Sequence, residues 1–142
     1  MQEAAKKKVL FICTHNSNRS QMAEGLLRAT RGGRYEARSA GTHPTEVSPQ
    51  AIKVMGEANI DISSHRSKSI DEFRDTEFDY VVTVCDHARE TCPFFPRAVM
   101  QLHKSFENPM DFHGTKDEIM TAFRHLRDEI KAWIEETFGD KK

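Results

Sequence analysis

Apolar and polar positions along the chain fall into blocks whose period changes. Val9-Leu10-Phe11-Ile12, entered from Lys8, is a continuous apolar run, the pattern of a short strand buried on both faces. Ser20-Gln21-Met22-Ala23-Glu24-Gly25-Leu26-Leu27 reads as a helix that continues to Arg31 and stops at Gly32-Gly33. Tyr35 to Ala40 alternates as a second strand and ends at Gly41. Ser48-Pro49 then caps a helix carrying Ala51, Ile52, Val54, Met55 and Ala58. Ile60 to His65 is a connection leading into a short helix near Ser69 to Phe73. Tyr80-Val81-Val82-Thr83-Val84 is a β-branched strand of the buried parallel kind, and Ala98 to Leu102 is a last short strand. From Lys116 to Phe138, Ile119, Met120, Phe123, Leu126, Ile130, Trp133 and Ile134 recur at helical spacing; this stripe, with the only Trp, is core.

Strands alternating with helices predict an α/β fold: a three-layer sandwich, with a four-stranded parallel sheet, right-handed crossovers and helices on both faces. The loop after the first strand then lies at the carboxyl edge of the sheet, where ligands bind in such folds. Residues 1–142 read as a single domain, with 1–7 as a flexible tail.

Composition narrows the partners. With 21 basic and 22 acidic residues mixed along the chain, the formal net charge is −1, which argues against nucleic acid as a partner. No apolar run reaches membrane-spanning length, and Met1 to Lys8 lacks a signal peptide's apolar stretch, so no membrane association and a cytoplasmic location are expected. Structural disulfides are uncommon there, so the three cysteines call for a chemical role. A monomer is expected, without a metal or other cofactor.

The chemistry concentrates in the first loop. Cys13 closes the first strand, and five residues separate it from Arg19, followed by Ser20 at the helix start. Backbone N–H groups at such a strand-to-helix junction converge into an anion site. A cysteine beside a helix N-terminus and a guanidinium is the type that serves as a thiolate nucleophile. Arg19 suits a tetrahedral oxyanion through paired hydrogen bonds, and Ser20 is placed to donate to the Cys13 sulfur. Asn16 and Ser17 can tie the loop to itself. Cys85 ends the third strand, so it emerges at the same sheet edge as Cys13, and Cys92 follows seven residues later. His87 and His103 raise a zinc alternative, but the spacing differs from short Cys-x2-4-Cys knuckles. Two buried thiols without a role are a second alternative. A redox relay accounts for all three cysteines together.

The string Val9-Leu10-Phe11-Ile12-Cys13-Thr14-His15-Asn16-Ser17-Asn18-Arg19-Ser20-Gln21-Met22-Ala23-Glu24-Gly25 resembles the phosphate loop of the low-molecular-weight protein tyrosine phosphatase superfamily, most of all its thioredoxin-coupled arsenate reductase branch. The resemblance runs from Lys8 to about Phe138. It implies arsenate as substrate, held by Thr14, His15, Asn16, Ser17, Asn18 and Arg19, with phosphate or sulfate as competing oxyanions. It also implies attack by Cys13, a Cys13–Cys85 disulfide as arsenite leaves, transfer to a Cys85–Cys92 disulfide on a segment that rearranges, and reduction by thioredoxin. The alternative is a phosphatase of the same superfamily in which the cysteine pair regulates activity.

Three departures from the family pattern matter. Asn108, before Pro109, stands where the family has its general-acid Asp, and an amide does not supply that proton; Glu107 and Asp111 are neighbours without the matching place. His15 stands where the family more often has Gly and is expected to face solvent. Of the side chains forming a cation site in some reductases, Asn16, Glu24 and Ser39 match, but Lys68 stands in place of Asp, so its ammonium is expected to replace the ion.

Overall fold

The computed structural model describes residues 6–85 and 98–139. Four strands, β1 (Lys7–Cys13), β2 (Tyr35–Gly41), β3 (Phe78–Thr83) and β4 (Ala98–His103), form one parallel sheet in the order β2-β1-β3-β4. Among the described residues, three helices accompany them: α1 (Arg19–Arg31), α2 (Pro49–Glu57) and α3 (Lys116–Phe138). The described residues also hold two 3₁₀ turns, Ile70–Phe73 and Pro109–Asp111; the second is not predicted from the sequence pattern.

The apolar run of β1 becomes the centre of the sheet. Val9 to Cys13 are all buried, as a strand covered on both faces requires. The tail prediction needs one correction. Lys7 belongs to β1, and its N–H donates to Arg34 O at 3.0 Å, so the ladder with β2 holds a residue assigned to the tail.

One face of the sheet packs on α3 through an aromatic hub. Phe138 meets Phe11 of β1, Tyr35 of β2 and Tyr80 of β3 at centroid distances of 6.3, 5.1 and 5.4 Å, all near edge-to-face. Trp133 adds a fourth ring at 5.9 Å and passes the contact to Phe106 at 6.1 Å. A capping box between Thr115 and Glu118 starts α3, and Ser48 caps α2 ahead of Pro49; such caps contribute about 1 kcal/mol each. β4 differs from the other strands. It is one of the two edge strands: Ala98 and Leu102 pack against the core, while Val99 and Met100 are 80% and 49% exposed.

The chain reverses direction around β1, so its carboxyl end is the switch point of the sheet. Cys13 ends β1 there. Beyond β3, the Val84 N–H still donates to Ile12 O at 2.9 Å, which sets Cys85 beside the loop that leaves Cys13.

Candidate active site

The loop from Cys13 to Asn18 is held by its carbonyl groups. Thr42, His43, Thr45 and Ser48 donate their N–H groups to the carbonyls of Cys13, Thr14, His15 and Ser17 at 3.3, 2.7, 3.2 and 3.1 Å. Gln21 Nε2 takes the Asn16 carbonyl at 3.1 Å, and the Met22 N–H takes that of Asn18 at 2.8 Å. In a trans peptide unit, C=O and the next N–H point opposite ways. No described peptide is cis. Six carbonyls turned outward therefore direct the N–H groups of residues 14–19 to the inside of the loop, forming a nest for an anion.

The strap that does this needs Gly41. A Cβ there would stand 2.7 Å from Thr14 O and 2.9 Å from Asn16 N, both backbone atoms. Asn16 takes the left-handed conformation at φ 49° that the tight loop demands, one of the residue types that tolerates it.

Cys13 Sγ accepts the Asn16 N–H at 3.2 Å and lies 2.8 Å from Ser20 Oγ. Arg19 is 9% exposed; one of its terminal nitrogens donates to Phe106 O at 3.2 Å, while its Nε has no protein partner. Thr14 Oγ1 lies 3.4 Å from the sulfur of Cys85, which is buried. Cys13, His15, Ser17, Asn18, Arg19 and Asn108 open on one cleft of about 540 Å³, whose outer wall includes Met110, Phe112, Ile119 and Phe123. Cys92 and His87 lie outside the described residues.

Asn108 has a structural engagement of its own. Its Oδ1 accepts the Met110 N–H at 3.0 Å and caps the second 3₁₀ turn. His15 is exposed at the cleft, in keeping with the solvent-facing expectation.

Behind the loop lies a buried network that the sequence reading found only in part. Gln21 Nε2 also donates to Asn16 Oδ1 at 2.9 Å, and its Oε1 faces His65 Nδ1 at 2.9 Å. Arg28 lies 2.9 Å from His65 Nε2. A guanidinium only donates, so Nε2 accepts and Nδ1 carries the proton. Burial pushes His65 below its ordinary pKa, and Arg28 and Lys68 reinforce the effect against the pull of Glu24. Glu24 is 3% exposed and receives Ser39 Oγ and Arg28, each at 2.7 Å. The Lys68 ammonium stands 3.8 Å from Glu24 Oε1, so the carboxylate that would hold a metal ion already faces a side-chain cation. Gln21 and His65 escaped the sequence reading because neither fits a recognisable spacing; only the fold brings them together.

Residues 8–139 match the low molecular weight phosphotyrosine protein phosphatase family. The chain belongs to that family. Among its relatives, arsenate reductase 1 of Staphylococcus epidermidis is 44% identical over 136 residues, covering 96% of this chain and 98% of the relative. A solved arsenate reductase in a phosphate-binding state superposes with TM-score 0.79 at 32% identity, over 92% of this chain and 95% of that one. A thioredoxin-dependent arsenate reductase of Corynebacterium glutamicum gives TM-score 0.62 at 30% identity, over 93% of this chain and 63% of that longer one. This family membership accounts for the four-stranded parallel sheet with its helices and for the loop that ends in Arg19 and Ser20.

Proposed function

We propose that this chain reduces arsenate to arsenite through three cysteines, with thioredoxin as reductant. The observation that carries the reading is the second thiol at the loop: Cys85 Sγ lies 3.4 Å from the hydroxyl of Thr14, the residue next to Cys13. A second thiol beside the residue next to Cys13 supports its attack on an adduct formed on that cysteine. The names of the relatives support the same substrate.

In this reading the nest and Arg19 hold arsenate over Cys13. The Cys13 thiolate attacks arsenic, and an arsenate hydroxyl takes up a proton and leaves as water. Cys85 then attacks the Cys13 sulfur. The S–As bond breaks, its electron pair stays on arsenic, As(V) becomes As(III), and arsenite departs from a Cys13–Cys85 disulfide. Cys92 attacks Cys85 and releases the Cys13 thiolate. Thioredoxin reduces the Cys85–Cys92 bond, supplying the two electrons that arsenic received.

The test is NADPH consumption in a mixture of the protein, thioredoxin, thioredoxin reductase and arsenate. Turnover that vanishes in Cys85→Ser, with weak aryl phosphatase activity retained, supports the relay. Turnover that survives the substitution overturns it. The second reading is a phosphatase, and the apolar outer wall of the cleft, with Met110, Phe112, Ile119 and Phe123, favours it by offering a surface for an aryl group. Aryl phosphate hydrolysis without arsenate-dependent NADPH consumption selects that reading.

A further inference from the structure

Arg19 is the cation of the loop, and among the described residues its protein partner is a main-chain carbonyl. One terminal nitrogen donates to Phe106 O at 3.2 Å, in a buried contact across 87 positions of sequence. A carboxylate in that place would cancel the charge that an anion needs. A carbonyl oxygen carries no net charge, so it orients the guanidinium and leaves the charge intact. One N–H is spent on it, and the other N–H groups of the planar fork stay available to a ligand.

The carbonyl is itself held from two sides. The Phe106 N–H donates to Val84 O at 3.3 Å, after the Lys104 N–H has donated to Thr83 O at 2.9 Å, so the chain leaving β4 stays bonded to the end of β3. Val84 O belongs to the peptide unit that enters Cys85. One strand end therefore sets both the second thiol and the acceptor for Arg19. On the other side, Phe106 is buried, and its ring meets Trp133 of α3 edge-to-face with centroids 6.1 Å apart. The Lys104 ammonium lies 5.7 Å from the centroid of the same ring.

We infer that Phe106 is a positioning residue for the oxyanion site: its carbonyl fixes the Arg19 guanidinium before the anion arrives, and its ring and N–H fix that carbonyl. This rests on the oxyanion reading of the loop. An arginine with free rotamers loses that freedom when the anion binds. One already held has lost it on folding, so the anion binds more tightly.

The experiment measures the phosphate concentration that halves alkylation of Cys13 by iodoacetamide at pH 7.5 and constant ionic strength. Each variant is compared with its own anion-free rate, read by mass spectrometry of the Cys13 peptide. Phe106→Leu keeps an apolar side chain in the buried place but loses the edge-to-face contact, so the half-protecting concentration should rise about fivefold. Should that variant not fold, Trp133→Leu removes the same ring contact from α3 and gives the same readout. Arg19→Lys keeps the charge on a single ammonium head, which lacks the rigid fork that reaches carbonyl and anion together. In that background Phe106→Leu should add less than about twofold, because it acts through the guanidinium. Phe78→Leu is the control for loosened packing: it breaks the Phe73–Phe78 ring pair at the opposite end of β3 and should leave the concentration unchanged. An unchanged concentration in Phe106→Leu overturns the proposal. So does a loss that recurs in the Arg19→Lys background or appears equally in Phe78→Leu, since that is the result of a merely structural role; each of these leaves the oxyanion reading intact. If phosphate does not protect Cys13 in the unmodified protein, the oxyanion reading itself fails, and this proposal with it.

Discussion

Ser20 Oγ lies 2.8 Å from Cys13 Sγ, and the same oxygen accepts from Asn16 Nδ2 at 2.8 Å. With the amide supplying one hydrogen to it, the hydroxyl directs its own hydrogen at the sulfur. Ser20 is fully buried, so water does not replace it. Ser20→Ala should lower the rate of Cys13 alkylation by iodoacetamide about fivefold at neutral pH, the effect of one ordinary hydrogen bond. Stopped alkylation followed by mass spectrometry measures this. An unchanged rate would show that the contact does not act on the sulfur.

Gly41 controls the loop through space rather than through φ. Because its missing Cβ would collide with backbone atoms of Thr14 and Asn16, Gly41→Ala should cost about 1–3 kcal/mol. Melting should fall by roughly 3–10 °C, with loss of oxyanion protection of Cys13. Gly33→Ala is the control, since a Cβ there meets nothing within 4 Å.

Asn108→Asp keeps the cap, because a carboxylate accepts the Met110 N–H as well as an amide oxygen does. It adds an acid at the cleft, so hydrolysis of an aryl phosphate, whose leaving group benefits from a proton, should rise about tenfold or more. Arsenate turnover should change less than about twofold, since arsenate exchanges its oxygens readily. If neither activity changes, the position is not that of an acid.

Lys68 pairs with Glu24 in a partly buried setting, and burial pushes the lysine below its ordinary pKa while Glu24 pulls it back up. Lys68→Ala should lower stability by about 1–2 kcal/mol, measured by urea unfolding. Melting of the unmodified protein should be the same in potassium chloride and choline chloride at equal ionic strength. A clear dependence on potassium in that protein would show that the ammonium does not stand in for the ion.

His65 sets a pH dependence in the neutral range. Its pKa in the folded protein lies below the ordinary 6.5, so the unfolded chain binds more protons as pH falls toward and below that value. Stability is therefore full above pH 6.5 and is lost as pH drops through the folded value, where an imidazolium would face Arg28 and Lys68. Melting curves between pH 8 and 5 should show this decline. His65→Gln, which cannot titrate, should flatten it. The exposed carboxylates Glu57, Asp61 and Glu72, all lowered by their hydrogen-bond partners, act only in the more acidic range and leave this window clear.

The local elements are legible in the amino-acid order, because their causes are local. An apolar run makes β1, Ser48-Pro49 starts α2, and a stripe of period 3.6 makes α3 from Lys116 to Phe138. It also made Cys13, Arg19 and Ser20 legible as a site, since a strand-to-helix loop brings those residues together over a few positions of chain. Contacts between residues far apart in sequence come from packing. The strap from Thr42 to Ser48 turns the loop's carbonyls outward, Gln21 joins His65 to Asn16, and Thr14 meets Cys85 across 71 residues. The same holds for Asn18. Its residue type suggests an ordinary helix cap, and only packing shows that its side chain leaves the cap unmade and is buried instead. Hydrogen-bond partners across a parallel sheet are chosen by strand order, and strand order is set by the burial of the whole core rather than by any segment's own pattern.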